Sequence, residues 1–417
     1  MLEFRSGATA ALSIRRNFAA VFAGDTVFAA AQWATLSLVA RLGGTEMLGQ
    51  YALAVAIVSP VALFAHLNLR AVLATDVERL HPFGDYMAVR VGTTALGLAV
   101  ILGLALLSGH AWPVASVIVL VGVVLAADHF SDICYGALQR GERMDQVARS
   151  TTARGALALA AMGAALWITH SLPWAIAAQA AARVAVFLAY DRPAAAVHES
   201  PRPSGFTAQS AILRAALPLG VVLMLITLSG NLPRYAIERR LGTAALGVFA
   251  AVASFQTIGS AVVNPLGQTM TPRLARAFSQ GQTPLFLRLA ARLTGASCLL
   301  GAAGVGVALV AGRLALGVAY GRAFTPYGGL LVWMMAAGIL SYAGSALGYV
   351  ITAARAFGSQ APLFLAVAAV SGAASWVLVP RFGLEGAALA LALAWLTQIA
   401  GELLILHRAL RKRERRP

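Results

Sequence analysis

The sequence predicts an all-α polytopic membrane protein. About twelve transmembrane helices form two parallel-repeat six-helix lobes around a central cavity. Three observations predict it. Hydrophobic residues make up 59% of the 417 and charged residues 12%, whereas a soluble domain carries about a quarter charged residues. The apolar residues fall into about twelve continuous stretches, each near the ~20 residues needed to cross a bilayer core of about 30 Å. Finally, the segment Arg41-Leu42-Gly43-Gly44-Thr45-Glu46-Met47-Leu48-Gly49-Gln50-Tyr51-Ala52 is echoed 199 residues later by Arg240-Leu241-Gly242-Thr243-Ala244-Ala245-Leu246-Gly247-Val248-Phe249-Ala250. An echo at nearly half the chain length is the mark of an internal duplication.

The expected crossings run over 17–41, 48–74, 87–109, 113–138, 151–170, 172–190, 209–233, 243–270, 285–311, 326–352, 361–380 and 383–407. Their apolar residues are continuous and not alternating, which excludes a barrel. Met1, Arg5, Arg15 and Arg16 precede the first crossing and imitate the basic start of a signal peptide. The stretch is too long for a signal core and contains Asp25 and Gln32, so it reads as an uncleaved helix. Cys134 and Cys298 form no metal or redox spacing and read as small apolar fillers.

Between crossings six and seven lies a polar gap with three prolines, from Asp191 to Gly205. It reads as a cytoplasmic linker, residues 191–208, between an N-terminal lobe (1–190) and a C-terminal lobe (209–408). A basic cytoplasmic tail follows over 409–417. Six crossings per half is an even number, so both halves enter from the same side and the repeats are parallel. With both termini cytoplasmic, the outer loops hold Arg41, Arg234, Arg239, Arg240, Arg313, Arg322 and Arg381, and the other 25 of the 32 basic residues fall on the cytoplasmic side. That asymmetry obeys the positive-inside rule and supports both the crossing number and the orientation. The net charge of +16 therefore points to anionic lipid heads and not to nucleic acid.

Ionisable groups within the crossings are costly and face an interior. Crossing one sets Asp25, Phe28, Gln32 and Thr35 on one helical face, and crossing seven does the same with Thr227, Asn231, Arg234 and Glu238. Gln32 lies nine residues before Arg41, as Asn231 lies nine before Arg240, so two amides occupy matching depths. Each either bonds a neighbouring helix or lines a cavity. Asp25 is a candidate coupling carboxylate or one half of a fixed ion pair. Arg183 lies mid-crossing, while Arg70 and Arg90 lie where a side chain can snorkel to the headgroups. Guanidinium is always charged and forks onto phosphate oxygens. A cavity with Arg183 and Arg234 beside Gln32, Thr227 and Asn231 would take a pyrophosphate and sugar hydroxyls together. Asp128, His129 and Asp132 have metal-like spacing but lack a further strong ligand, and pairing with Arg90 or Arg140 accounts for the carboxylates. No nucleophile–base pair, phosphate-binding glycine loop or zinc motif occurs. The chain reads as a non-enzyme without cofactor or metal, driven by an ion gradient, the membrane potential or consumption of its substrate.

These residues together resemble the polysaccharide transport family, of which Wzx-type flippases are members, within the multidrug/oligosaccharidyl-lipid/polysaccharide exporter superfamily. The resemblance covers nearly the whole chain. It rests on Asn17-Phe18 entering crossing one, on Ala40-Arg41-Leu42-Gly43 through Gly49-Gln50-Tyr51, and on Arg240-Leu241-Gly242 through Leu246-Gly247-Val248-Phe249. It rests also on Tyr135-Gly136 with Gln139-Arg140-Gly141-Glu142, and on Gly383-Leu384-Glu385-Gly386-Ala387-Ala388. The major facilitator signature after crossing two is absent, that loop reading Thr75-Asp76-Val77-Glu78-Arg79-Leu80. The resemblance implies two lobes in a V around a cavity. It also implies flipping of a polyprenyl-pyrophosphate-linked oligosaccharide for cell-surface polysaccharide assembly, by alternating access. Membrane lipids and polysaccharide polymerase machinery are the implied partners. An ion-coupled multidrug exporter of the same superfamily and a non-transport scaffold of a glycan-synthesis complex remain alternatives. A membrane-embedded glycosyltransferase is a third, against which stands the lack of an outer loop with paired acidic residues.

Overall fold

A computed structural model of the chain describes residues 14–76, 80–199, 202–356 and 359–414. Met1, Arg5, Glu78, Arg79, Arg415 and Arg416 lie outside the described residues, as do the side chains of Arg15, Arg16, Asn17 and Phe18. The described residues are helical with no strand. The helices are α1 (Ile14–His66), α2 (Leu69–Thr75), α3 (Phe83–Leu107), α4 (Trp112–Arg140), α5 (Met144–Thr169), α6 (Leu172–Val186), α7 (Arg192–His198), α8 (Phe206–Leu241), α9 (Thr243–Ser279), α10 (Thr283–Tyr320), α11 (Gly328–Ala353) and α12 (Gln360–Glu414).

Ten helices among the described residues are long and apolar enough to cross a membrane. Two of them are too long for one crossing. A 53-residue helix such as α1 would extend about 80 Å at 1.5 Å per residue, more than twice the hydrocarbon thickness. α1 is broken at Gly44 (φ 70°, ψ −167°) and the 55-residue α12 at Gly383 (φ 60°, ψ −138°). Each break separates two crossings, and the total is twelve. Within the stretch read as a linker, 191–208, Arg192–His198 are helical and α8 begins at Phe206. A π-turn over Phe187–Asp191 carries α6 directly into α7. Pro193 sits in the first turn of α7, where its missing N–H is no loss.

Contacts divide the chain into two compact units. The first comprises Met1–Thr35, Ala65–Val100 and Val119–Leu217; the second comprises Leu36–Phe64, Ile101–Ile118 and Pro218–Pro417. The first unit is built on Leu67, Leu69, Leu73, Phe83, Tyr86, Ile133 and Ile212, all buried, with α5 packed along α6. In the second, α10 packs on α9 and α11, and α11 on α12. Leu274, Phe286, Leu293, Val350 and Leu406 form its main apolar cluster.

The second unit brings the two copies of the sequence echo into contact. A Cβ on Gly49 would lie 1.9 Å from the Thr243 carbonyl oxygen, and a Cβ on Gly247 would lie 2.0 Å from that of Thr45. The contact is reciprocal, and its register is 198 residues, one fewer than the arginines alone imply. Gly44-Thr45 and Leu48-Gly49 correspond to Gly242-Thr243 and Leu246-Gly247. Gly44 and Gly242 share one backbone conformation, φ 70° with ψ −167° and φ 87° with ψ 172°, a region essentially restricted to glycine. The first copy carries one extra residue between its Leu42 and its turn glycine.

Candidate functional site

The polar face of crossing seven forms a connected group in α8. The Thr227 hydroxyl donates to the Leu223 carbonyl at 2.8 Å, which satisfies it within its own helix. Asn231 is buried. Its amide nitrogen donates to the Thr227 carbonyl at 2.8 Å and to the Ser59 hydroxyl of α1 at 3.1 Å. Its oxygen accepts from Arg234 Nη1 at 3.1 Å. One residue further on, the Tyr235 hydroxyl donates to the Ala56 carbonyl at 2.6 Å. Arg234 is half-buried, and its Nε is enclosed without a hydrogen-bond partner. Among the described residues no carboxylate lies within ion-pair distance of it. Glu238, one turn on, pairs instead with His110 at 3.2 Å. Among the described residues Arg234 is therefore a half-buried cation held by one neutral amide.

The sequence places Gln32 level with Asn231, but the two differ in environment. Gln32 is exposed and Asn231 buried. Asp25 is also exposed. It takes part in no ion pair among the described residues, although Arg70 and Arg154 lie within electrostatic reach of it.

Arg183 belongs to the first unit and is not a free cation. Its Nη1 is hydrogen-bonded to Asp128 Oδ2. Arg154 Nη1 approaches Asp128 Oδ1 at 3.4 Å, an ion pair without hydrogen-bond alignment. The Phe28 ring faces both guanidiniums, its centroid 4.7 Å from Arg154 and 5.7 Å from Arg183. Two buried arginines thus share one carboxylate and one aromatic face. The pairing expected for Asp128 with Arg90 or Arg140 is not made. Arg140 holds Asp76 at 3.5 Å and Glu199 at 3.3 Å. Asp132 pairs with His66 at 2.9 Å and Arg70 at 3.4 Å. Arg90 does not snorkel. It is fully buried and donates to the Ala65 and His66 carbonyls at 3.4 and 2.8 Å, caught where the chain leaves α1 for α2. Arg154 is the residue that sequence reasoning missed. α5 begins at Met144 and not near 151, which sets Arg154 about three turns into the helix and not in its first turn.

The six candidate residues accordingly fall into two groups. Thr227, Asn231 and Arg234 are joined in the second unit. Asp25, Gln32 and Arg183 lie in the first, where only Arg183 has a partner of opposite charge.

Comparison with known proteins assigns the family. A family model described as "Polysaccharide biosynthesis protein" matches residues 14–278. The chain belongs to that family. It is 21% identical over 382 residues to the capsular polysaccharide biosynthesis protein CapF of Staphylococcus aureus, covering 91% of this chain and 96% of CapF. Among solved structures it resembles the lipid II flippase MurJ in an inward closed conformation, with a TM-score of 0.71, 9% identity, and 95% and 89% of the two chains covered. It resembles also an inward-facing multidrug resistance MATE family transporter of the MOP superfamily, with a TM-score of 0.67, 11% identity, and 97% of each chain covered. The fold is that of these two-lobed transporters, and the chain is a multi-pass membrane protein.

Proposed function

We propose that this protein flips a polyprenyl-pyrophosphate-linked oligosaccharide across the bacterial cytoplasmic membrane for cell-surface polysaccharide assembly. The reading places both termini in the cytoplasm, in keeping with the arginine asymmetry, and takes residues 1–190 and 209–408 as the two lobes. It is a transport role and not an enzymatic one. The observation that carries it is Arg234. A half-buried guanidinium with an enclosed, unpartnered Nε, one amide partner and no carboxylate is unfavourable alone and is matched by an anion such as a pyrophosphate. Asn231 orients that guanidinium, and Gln32 and Thr227 offer polar contacts for hydroxyls. Arg183 contributes through the excess positive charge of its cluster, and Asp25 is the group that tunes the cycle. The reciprocal glycine contact supports alternating access, because it holds the two copies of the repeat together backbone to backbone.

The test is reconstitution in vesicles with a fluorescent lipid-linked oligosaccharide, scored by its accessibility from outside. Arg234→Ala should lower flipping at least tenfold at normal expression, and Arg234→Lys should recover part of it. Normal flipping by Arg234→Ala would remove the assignment. Cation-dependent drug efflux without lipid flipping would replace it with a multidrug exporter.

A further inference from the structure

The ends of α9, α11 and α12 in the second unit border an open cavity of about 500 Å³ that the flipping reading does not use. It is lined by Phe278 and Ser279 at the end of α9, Arg355 and Ser359 between α11 and α12, and Arg408 and Arg413 in the last turns of α12. Among the described residues no carboxylate lines it, and none lies within ion-pair distance of the three arginines. Arg413 is partly engaged. It donates to the Ser279 carbonyl at 3.0 Å and lies 4.9 Å from the Phe278 ring centroid. Arg355 and Arg408 are exposed.

Helix ends attract arginines through the macrodipole, and that explanation falls short here. The carbonyl ends of α9, α11 and α12 supply about half a negative charge each. The first turn of α12 returns part of it, since its free amides start directly after Ser359. Three full charges against about one leave an excess of about two positive charges. Arg355 has a second peculiarity. Its N–H bonds the Thr352 carbonyl at 3.1 Å, and the Ala356 N–H bonds that of Ile351 at 3.3 Å. This is the paired hydrogen-bond pattern that ends a helix with a left-handed residue, usually glycine. Arg355 occupies that position at φ 55°. The equivalent turn after α9 uses Gly281 at φ 81°. A strained arginine therefore stands where glycine is the easy choice, and its guanidinium is delivered to the cavity.

We infer that this cavity binds a single phosphate group. Its volume admits a phosphate group together with whatever carries it, and its position at the ends of crossing helices is the level of the lipid headgroups, where basic pockets between helices take anionic heads. The phosphate can come from an anionic phospholipid of that leaflet or from solution.

The experiment uses the full-length protein in neutral detergent. Melting temperature and native mass spectra are recorded with phosphatidylglycerol, with phosphatidylcholine of the same chains, and with inorganic phosphate against matched chloride. Phosphatidylglycerol should stabilise the protein and remain bound as one molecule, with phosphatidylcholine inert. Stabilisation by inorganic phosphate with no preference for phosphatidylglycerol would assign the soluble source. Arg408→Ala should weaken the response about tenfold, the loss of one charge-assisted contact. Arg355→Gly should weaken it similarly while melting no lower than wild type in the absence of phosphate, since glycine relieves the turn. Arg411→Ala, on the same helix outside the cavity, should respond as wild type. An undiminished response in both Arg355→Gly and Arg408→Ala, or no response to either phosphate source, would overturn the inference.

Discussion

Replacing Gly49 by alanine should loosen both copies of the repeat, not only the one that is changed. The added Cβ would sit 1.9 Å from the Thr243 carbonyl oxygen. Carbon–oxygen contacts lie at about 3.3 Å or more, so the segments must part by about 1.4 Å. The two nearest opposing atoms are the Thr243 carbonyl oxygen and carbon, so a side-chain rotation alone cannot relieve the clash. The cost should reach the upper end of the 1–3 kcal/mol typical of overpacking, about 3 kcal/mol. A penalty of that size on the sealed form alone moves a balance of 99:1 to near parity. Gly247→Ala meets the Thr45 carbonyl at 2.0 Å and the Gly49 nitrogen at 2.9 Å, and should do the same. The double variant should cost less than the sum, because one alanine already separates the chains that the second would have met. The assay is hydrogen exchange read by mass spectrometry over peptides covering 44–50 and 242–248, with melting temperature alongside. Either single variant should accelerate exchange in both peptides. Acceleration confined to the altered peptide, or unchanged exchange and melting, would refute the reciprocal seal.

Gly242→Ala should cost about 1–3 kcal/mol through its backbone conformation alone, read as a lower melting temperature. Asp128→Asn removes the only carboxylate that Arg154 and Arg183 share. It should destabilise the first unit by about 3–5 kcal/mol, and adding Arg183→Met should recover part of that loss in thermal unfolding. Asp76, in the turn after α2, offers a pH signature. Burial pushes its carboxyl up, but the N–H groups of Leu80 and His81, the Tyr86 hydroxyl and the Arg140 charge together hold it below the ordinary 3.8. A depressed value in the folded chain means its contribution is complete above pH 3.8 and is lost as the pH falls through the lower, folded value. Exchange of the Leu80 and His81 amides, corrected for intrinsic rates, should therefore be flat from pH 7 to 5 and rise below about pH 4. Asp76→Asn should show the raised rate at every pH.

The crossings were legible because apolar length is a local property that lipid imposes directly. The duplication was legible from Arg41-Leu42-Gly43 and Arg240-Leu241-Gly242, yet those residues also concealed its register. The arginines serve different ends. Arg41 donates to carbonyls at the end of α10, whereas Arg240 lies 5.3 Å from the Trp376 ring centroid. The glycines and threonines that touch fix the alignment, and contact between halves is not written in either half alone. Ion partners were illegible for the same reason. Asp128 meets Arg183 from 55 positions away, and neither residue's neighbours in sequence announce the other. Arg154 was hidden by a helix start seven residues earlier than its apolar pattern marks.

Charge balance separates the arginines of the crossings more sharply than depth does. Arg90 is the most deeply buried, but two carbonyls receive it. Arg154 and Arg183 divide one carboxylate and one ring. Among the described residues Arg234 has only the Asn231 oxygen. Removing a paired cation strands its partner and lowers stability, whereas removing an uncompensated one relieves a desolvation penalty. Arg234→Ala should consequently melt no lower than wild type, since Asn231 keeps its bonds to Thr227 and Ser59. Arg183→Ala should melt lower. A residue whose loss abolishes flipping while leaving the fold equally or more stable is one held at a thermodynamic disadvantage for its ligand. If Arg234→Ala instead melted well below wild type, the guanidinium would be structural, and the anion it awaits would have no place in the argument.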